Sequence, residues 1–107
     1  MSESTITRDD VDRSHGPLLL EFGATWCPHC QAIQPGLASQ LRGHPGVRHI
    51  AIEDGKGLPL GRSFRVKLWP TLVFLQDGRV LQQLVRPNAD EIAEGFAALA
   101  TGPKAAS

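Results

Sequence analysis

Apolar residues run continuously from Leu18 to Phe22, interrupted only by Glu21. Such a run predicts a central strand buried on both faces. The period then changes. Ile33, Leu37 and Leu41 fall at i, i+4 and i+8, which predicts a helix from Pro28, ended by Gly43 to Gly46. Pro35 lies inside it and predicts a kink. Val47 to Ile52 sets Val47, His49 and Ala51 against Arg48, Ile50 and Ile52, a second strand, with a turn over Glu53 to Gly57. Leu58 to Phe64 reads as a short helix, weakened by Pro59 and Gly61. Leu72 to Leu75 and Val80 to Val85 read as strands joined by a hairpin turn at Asp77-Gly78. Asn88 and Glu91 form a capping box for a last helix, with Ile92, Phe96 and Leu99 as its buried stripe. At the other end, Ser4 to Thr7 predicts a short edge strand. Thr7 then caps a short helix with Asp9, Asp10 and Asp12 in its first turns, and Gly16-Pro17 breaks it. Residues 1–3 read as frayed and Thr101 to Ser107 as a polar tail. The predicted order is β-α-β-α-β-α-β-β-α. It implies one α/β domain over residues 1–107, its core at about 17–100, with a mixed sheet between helices.

Composition narrows the function. The chain has 107 residues, 41% of them apolar, enough for one core. Lys plus Arg equals Asp plus Glu at 11 each, so neither a nucleic-acid nor an anionic-membrane footprint is present. No apolar stretch nears the roughly 20 residues of a membrane span. Met1 to Asp12 has four acidic residues and no apolar h-region, unlike a signal peptide. The expectation is a cytoplasmic protein. There a cysteine pair is more often catalytic or metal-binding than structural.

The two cysteines stand in Trp26-Cys27-Pro28-His29-Cys30, between the buried strand and the helix. Cys-x-x-Cys in that setting is a redox signature. One helical turn brings the sulfurs within disulfide reach. The unpaired N–H groups and dipole at the helix start favour an anion on Cys27, the thiolate that attacks disulfides. A zinc site using two of His15, His29, His44 and His49 is an alternative, although no second close ligand pair exists. A purely structural disulfide is another, but so small a loop removes little chain entropy.

The chain resembles the thioredoxins from about Pro17 to Leu99. Trp26-Cys27-x-x-Cys30 resembles the family's Trp-Cys-Gly-Pro-Cys, and Pro35 its kinking proline. Trp69-Pro70-Thr71 resembles its cis-Pro-Thr, and Gly78 its hairpin glycine. Glu21 resembles its buried acid, which is Asp in most members. The resemblance implies a thioredoxin-like fold and a thiol–disulfide oxidoreductase, with Cys27 attacking and Cys30 resolving. It also implies a cis-Pro70 facing the cysteines, where the Trp69 backbone can pair with an extended substrate peptide.

Several departures shape the expected chemistry. The Pro28-His29 dipeptide is that of the periplasmic disulfide-forming oxidases. Protonated His29 would stabilise the Cys27 thiolate. Each tenfold shift of this two-electron couple is worth roughly 30 mV, so the expected couple is more oxidising than ordinary thioredoxin. Glu21 is either a buried carboxylate of raised pKa that exchanges the Cys30 proton or a solvated surface residue. His49 falls where thioredoxins place a lysine near the acid. Trp26 is expected to shape the groove, and Trp69 to contact substrate or join the core. Arg86 replaces a groove glycine and adds charge. Expected partners are protein disulfides and a reductant, either thioredoxin reductase or glutathione, acting on a monomer. The sequence assigns no cofactor and no metal. A binding module with inert or redox-sensing cysteines is the competing function.

Overall fold

The computed structural model describes residues 6–54 and 58–100. Eight elements follow in chain order: α1 (Arg8–Asp12), β1 (Pro17–Gly23), α2 (Pro28–Gly43), β2 (Arg48–Glu53), α3 (Pro59–Ser63), β3 (Thr71–Gln76), β4 (Arg79–Val85) and α4 (Ala89–Ala100). The strands form one mixed sheet in the order β2-β1-β3-β4. β2 runs parallel to β1, while β3 is antiparallel to both β1 and β4. The predicted thioredoxin-like α/β architecture is present, with helices on both faces.

The expected edge strand at Ser4–Thr7 is not formed where it can be seen. Ile6 and Thr7 lie outside any strand, and Ser4 and Thr5 lie outside the described residues. Thr7 serves α1 instead. Its hydroxyl accepts from the Asp10 N–H at 3.1 Å, and the Asp10 carboxylate accepts from the Thr7 N–H at 3.0 Å. That reciprocal cap uses the residue an edge strand would need.

Strand alternation divides the core. Leu18, Leu20 and Phe22 of β1 join Ile50, Ile52, Val73 and Leu75 beneath α1 and α3. Leu19 points the other way and packs with Leu37, Leu72, Phe74, Ile92, Phe96 and Leu99 beneath α2 and α4. A side-chain period of two therefore puts Glu21 and Gly23 on the α2 face with Leu19. By the same alternation His49 and Ala51 of β2 share that face. The Asp77-Gly78 hairpin has φ of 53° and 81°, the left-handed pair such a two-residue turn requires. A Cβ on Gly78 would collide with the Asp12 carbonyl oxygen, so the turn is tucked against α1. α2 runs on through Pro35, whose missing N–H removes one helical bond.

Candidate active site

β1 ends at Gly23, and the chain turns through Ala24–Trp26 into α2. Cys27 is the N-cap of that helix, with Pro28 at its first position. Proline suits this place, since its φ is pre-set and no helical N–H is lost there. The Cys27 Sγ accepts the Cys30 N–H at 3.3 Å. Both cysteines are free thiols and buried, and they cluster with Ala24 against Trp69. Gly23 completes the socket. A Cβ there would stand 2.6 Å from the Cys30 Sγ, so a side chain would displace the sulfur.

The two thiols are driven in opposite directions. The Cys30 thiol donates to the Cys27 sulfur and holds the Cys27 pKa below the ordinary thiol value. Burial opposes this, while the backbone N–H groups of Cys30 and His29 and the charge of Arg86 assist. Cys30 is pushed up to about 11, first by burial, then by its bond to Cys27, with the Glu21 charge adding to the rise. One cysteine is thus the readier thiolate and the other a held thiol.

Glu21 is only 8% exposed, which excludes the solvated surface reading. Its Oε1 lies 2.8 Å from His49 Nε2, and its Oε2 accepts from Gln34 Nε2 at 2.6 Å. The expected raised pKa is not found. Burial pushes the carboxyl up, but the hydrogen bonds from His49 and Gln34 and the His49 charge together outweigh it. Gln34 also donates to the Cys30 carbonyl at 3.0 Å, tying the carboxylate to the Cys30 end of the motif. Glu21, Cys30, Gln34 and His49 line one cleft of about 520 Å³. His49 therefore does stand beside the acid, with its side chain 27% exposed.

On the other side of the dithiol lies the Trp69–Pro70 peptide bond, which is cis. Trp69 is half-buried, and its Nε1 donates to Asp54 Oδ2 at 2.9 Å. Asp54 is itself held by its N–H on the Gly23 carbonyl at 2.8 Å. Trp26 meets Trp69 edge-on at 5.6 Å between ring centroids and is 68% exposed. The tryptophans thus form a wall whose outer half is open to a partner. Pro28 and His29 are exposed on the first turn of α2. Arg86 is exposed too, and its Nε donates to the Trp69 carbonyl at 2.9 Å.

The histidines of the zinc alternative are occupied differently or dispersed. His49 is on Glu21, and His44 packs on the Phe96 ring at 5.1 Å with Nδ1 at 2.9 Å from the Gln40 carbonyl. Among the described residues no cluster of three His, Cys, Asp or Glu side chains could hold a metal ion. Gly23, Gln34 and Asp54 were not legible as site residues. Their contacts depend on where β1, α2 and the turn after β2 meet in space.

A mixed sheet carrying a Cys-x-x-Cys at a helix start, its two free thiols shifted in opposite directions, defines a thiol–disulfide oxidoreductase. Comparison with known proteins gives the same class. Residues 3–98 match the thioredoxin family, and the chain belongs to it. A solved structure of thioredoxin 2 from Pseudomonas aeruginosa, in its reduced form, is similar over 92% of this chain and 93% of its own. It shares 49% identity at a TM-score of 0.77. Thioredoxin H5 of Arabidopsis thaliana is 29% identical over 79% of this chain and 72% of its own length. A segment covering 13% of protein disulfide-isomerase A2 from Pongo abelii is 43% identical to 62% of the chain.

Proposed function

We propose that Cys27 and Cys30 form a two-electron couple reducing protein disulfides, with Cys27 attacking and Cys30 resolving. The observation that carries this reading is the opposed ionisation of the pair, Cys27 lowered and Cys30 at about 11. The Cys27 thiolate attacks one sulfur of a substrate disulfide. A Cys27–substrate disulfide forms, and the other substrate sulfur leaves as a thiolate. Cys30 then loses its proton and attacks the Cys27 sulfur. The Cys27–Cys30 disulfide forms and the second substrate thiolate departs, so two electrons have moved to the substrate. Glu21 is ionised at neutral pH and has no proton to deliver; its charge helps to hold the proton on Cys30, which passes to the substrate thiolate that left in the first step or to solvent when Cys30 attacks. His49 and Gln34 orient the Glu21 carboxylate.

We further propose a couple more oxidising than ordinary thioredoxin. Every contact that stabilises the Cys27 thiolate stabilises the reduced form. The Cys30 thiol, the His29 and Cys30 N–H groups and Arg86 all act in that sense. In a reducing compartment such as the cytoplasm, such a couple is held reduced and runs as a reductase. Thioredoxin reductase or glutathione would reset it, with the monomer as working unit. Trp26, Trp69, Pro70 and Pro28 would form the substrate wall.

Two variants test the assignment. Cys27→Ser should abolish insulin-disulfide reduction. Cys30→Ser should retain attack and accumulate a mixed disulfide, visible by mass under non-reducing conditions. Trapping by Cys27→Ser instead would reverse the two roles. A binding module would keep its partner in Cys27→Ser with no turnover in either protein.

A further inference from the structure

Arg86 follows β4 with φ of 49°, a conformation that glycine adopts more readily than any side chain. Its groups bracket the Trp69–Pro70 bond. The Arg86 N–H donates to the Pro70 carbonyl at 2.8 Å, and Nε donates to the Trp69 carbonyl at 2.9 Å. The side chain is therefore anchored, though exposed. Nε is used, which leaves the two Nη groups as the free fork of the guanidinium. Among the described residues no carboxylate pairs with it. Its charge is also close enough to the dithiol to favour the Cys27 thiolate. An anchored, unpaired guanidinium beside a reacting sulfur is suited to a planar carboxylate, which it can grip with two parallel hydrogen bonds.

We propose that Arg86 is a specificity-determining residue: anchored on the Trp69 carbonyl, it binds a carboxylate of the substrate next to the sulfur that Cys27 attacks. This rests on Cys27 being the nucleophile. The anchoring bond also occupies an acceptor that an incoming extended peptide would pair with. Recognition thus moves from the main chain of the substrate to its charge. The carboxylate can come from an acidic residue beside a protein cysteine or from a glutathionyl group.

The test uses mixed disulfides with 2-thiopyridine, a neutral leaving group whose release is followed by absorbance. One pair consists of blocked peptides with Glu or Gln beside the cysteine. The other consists of glutathione and its diethyl ester. The readout is the rate ratio within each pair, because a general change in thiolate reactivity cancels. The native protein should favour the carboxylate member about fivefold, the upper range for an exposed ion pair. Arg86→Gly suits the backbone at this position and should bring the ratio to about one. A loss confined to the peptides supports an acidic protein segment, a loss confined to glutathione supports the glutathionyl group, and a loss in both supports the shared chemistry. Equal ratios in the native protein and Arg86→Gly, for both pairs, overturn the proposal. No thiopyridone release by the native protein would sink the Cys27 assignment itself, and this inference with it.

Discussion

Glu21 and His49 are 28 residues apart in sequence and 2.8 Å apart in space. Their contact decides the ionisation of the buried carboxylate. A lone buried glutamate would be pushed toward the neutral form, but His49 and Gln34 reverse the balance. The consequence for stability has a definite sign. The folded-state pKa lies below the ordinary 4.5, so the unfolded chain binds the proton more readily. The contribution is present above the unfolded value and is lost as pH falls through the folded one. Glu21→Gln should therefore lose less stability than the native protein as pH drops below 4.5. Urea midpoints at a series of pH values would show this. The Asp10 carboxyl, also lowered chiefly by the Thr7 backbone N–H, is common to both proteins and cancels in the comparison. Parallel midpoint curves would mean that Glu21 titrates normally. The burial of Glu21 was legible from Leu20 and Phe22 on either side. The sign of its shift was not, because it is set by partners on β2 and α2.

At the scale of elements, local signals carried most of the fold. Asn88 caps α4 as its sequence indicates: its Oδ1 accepts the Glu91 N–H at 2.8 Å, and Glu91 Oε1 accepts the Asn88 N–H at 2.8 Å. α4 then lays Ile92, Phe96 and Leu99 on the sheet, with Phe96 edge-on to Phe74 at 5.4 Å. Removing the cap with Asn88→Ala should cost about 1 kcal/mol, measured by urea unfolding. A change within error would mean that packing alone sets the start of α4. The hairpin was equally legible, because Asp77-Gly78 encodes the required left-handed pair. The N-terminal strand was misread, since Thr7 is as good a helix cap as a strand residue. β2 begins at Arg48 rather than Val47. Val47 instead donates its N–H to His44 in the turn, at 3.0 Å. Neither difference moves the site, which hangs on β1 and the start of α2.

At the scale of the whole molecule, the sheet holds two different environments against one dithiol. On the α2 side, a buried anion fixed by His49 faces Cys30 across a cleft. On the β3 side, two tryptophans and Arg86 surround the approach to Cys27. Burial and the contact between the two cysteines supply most of the difference between them, while the Glu21 charge adds to the rise of Cys30 and the Arg86 charge to the lowering of Cys27. The helix start legible in the sequence accounts for part of the lowering of Cys27, whereas the rise of Cys30 comes chiefly from burial, which chain spacing does not show. The most direct measurement is the equilibrium of the Cys27–Cys30 couple in graded glutathione buffers, read by thiol trapping and mass. The account predicts one two-electron transition to an intramolecular disulfide, at a potential above the roughly −270 mV of thioredoxin. A transition at or below that value would contradict the claim that this site favours the reduced, thiolate form.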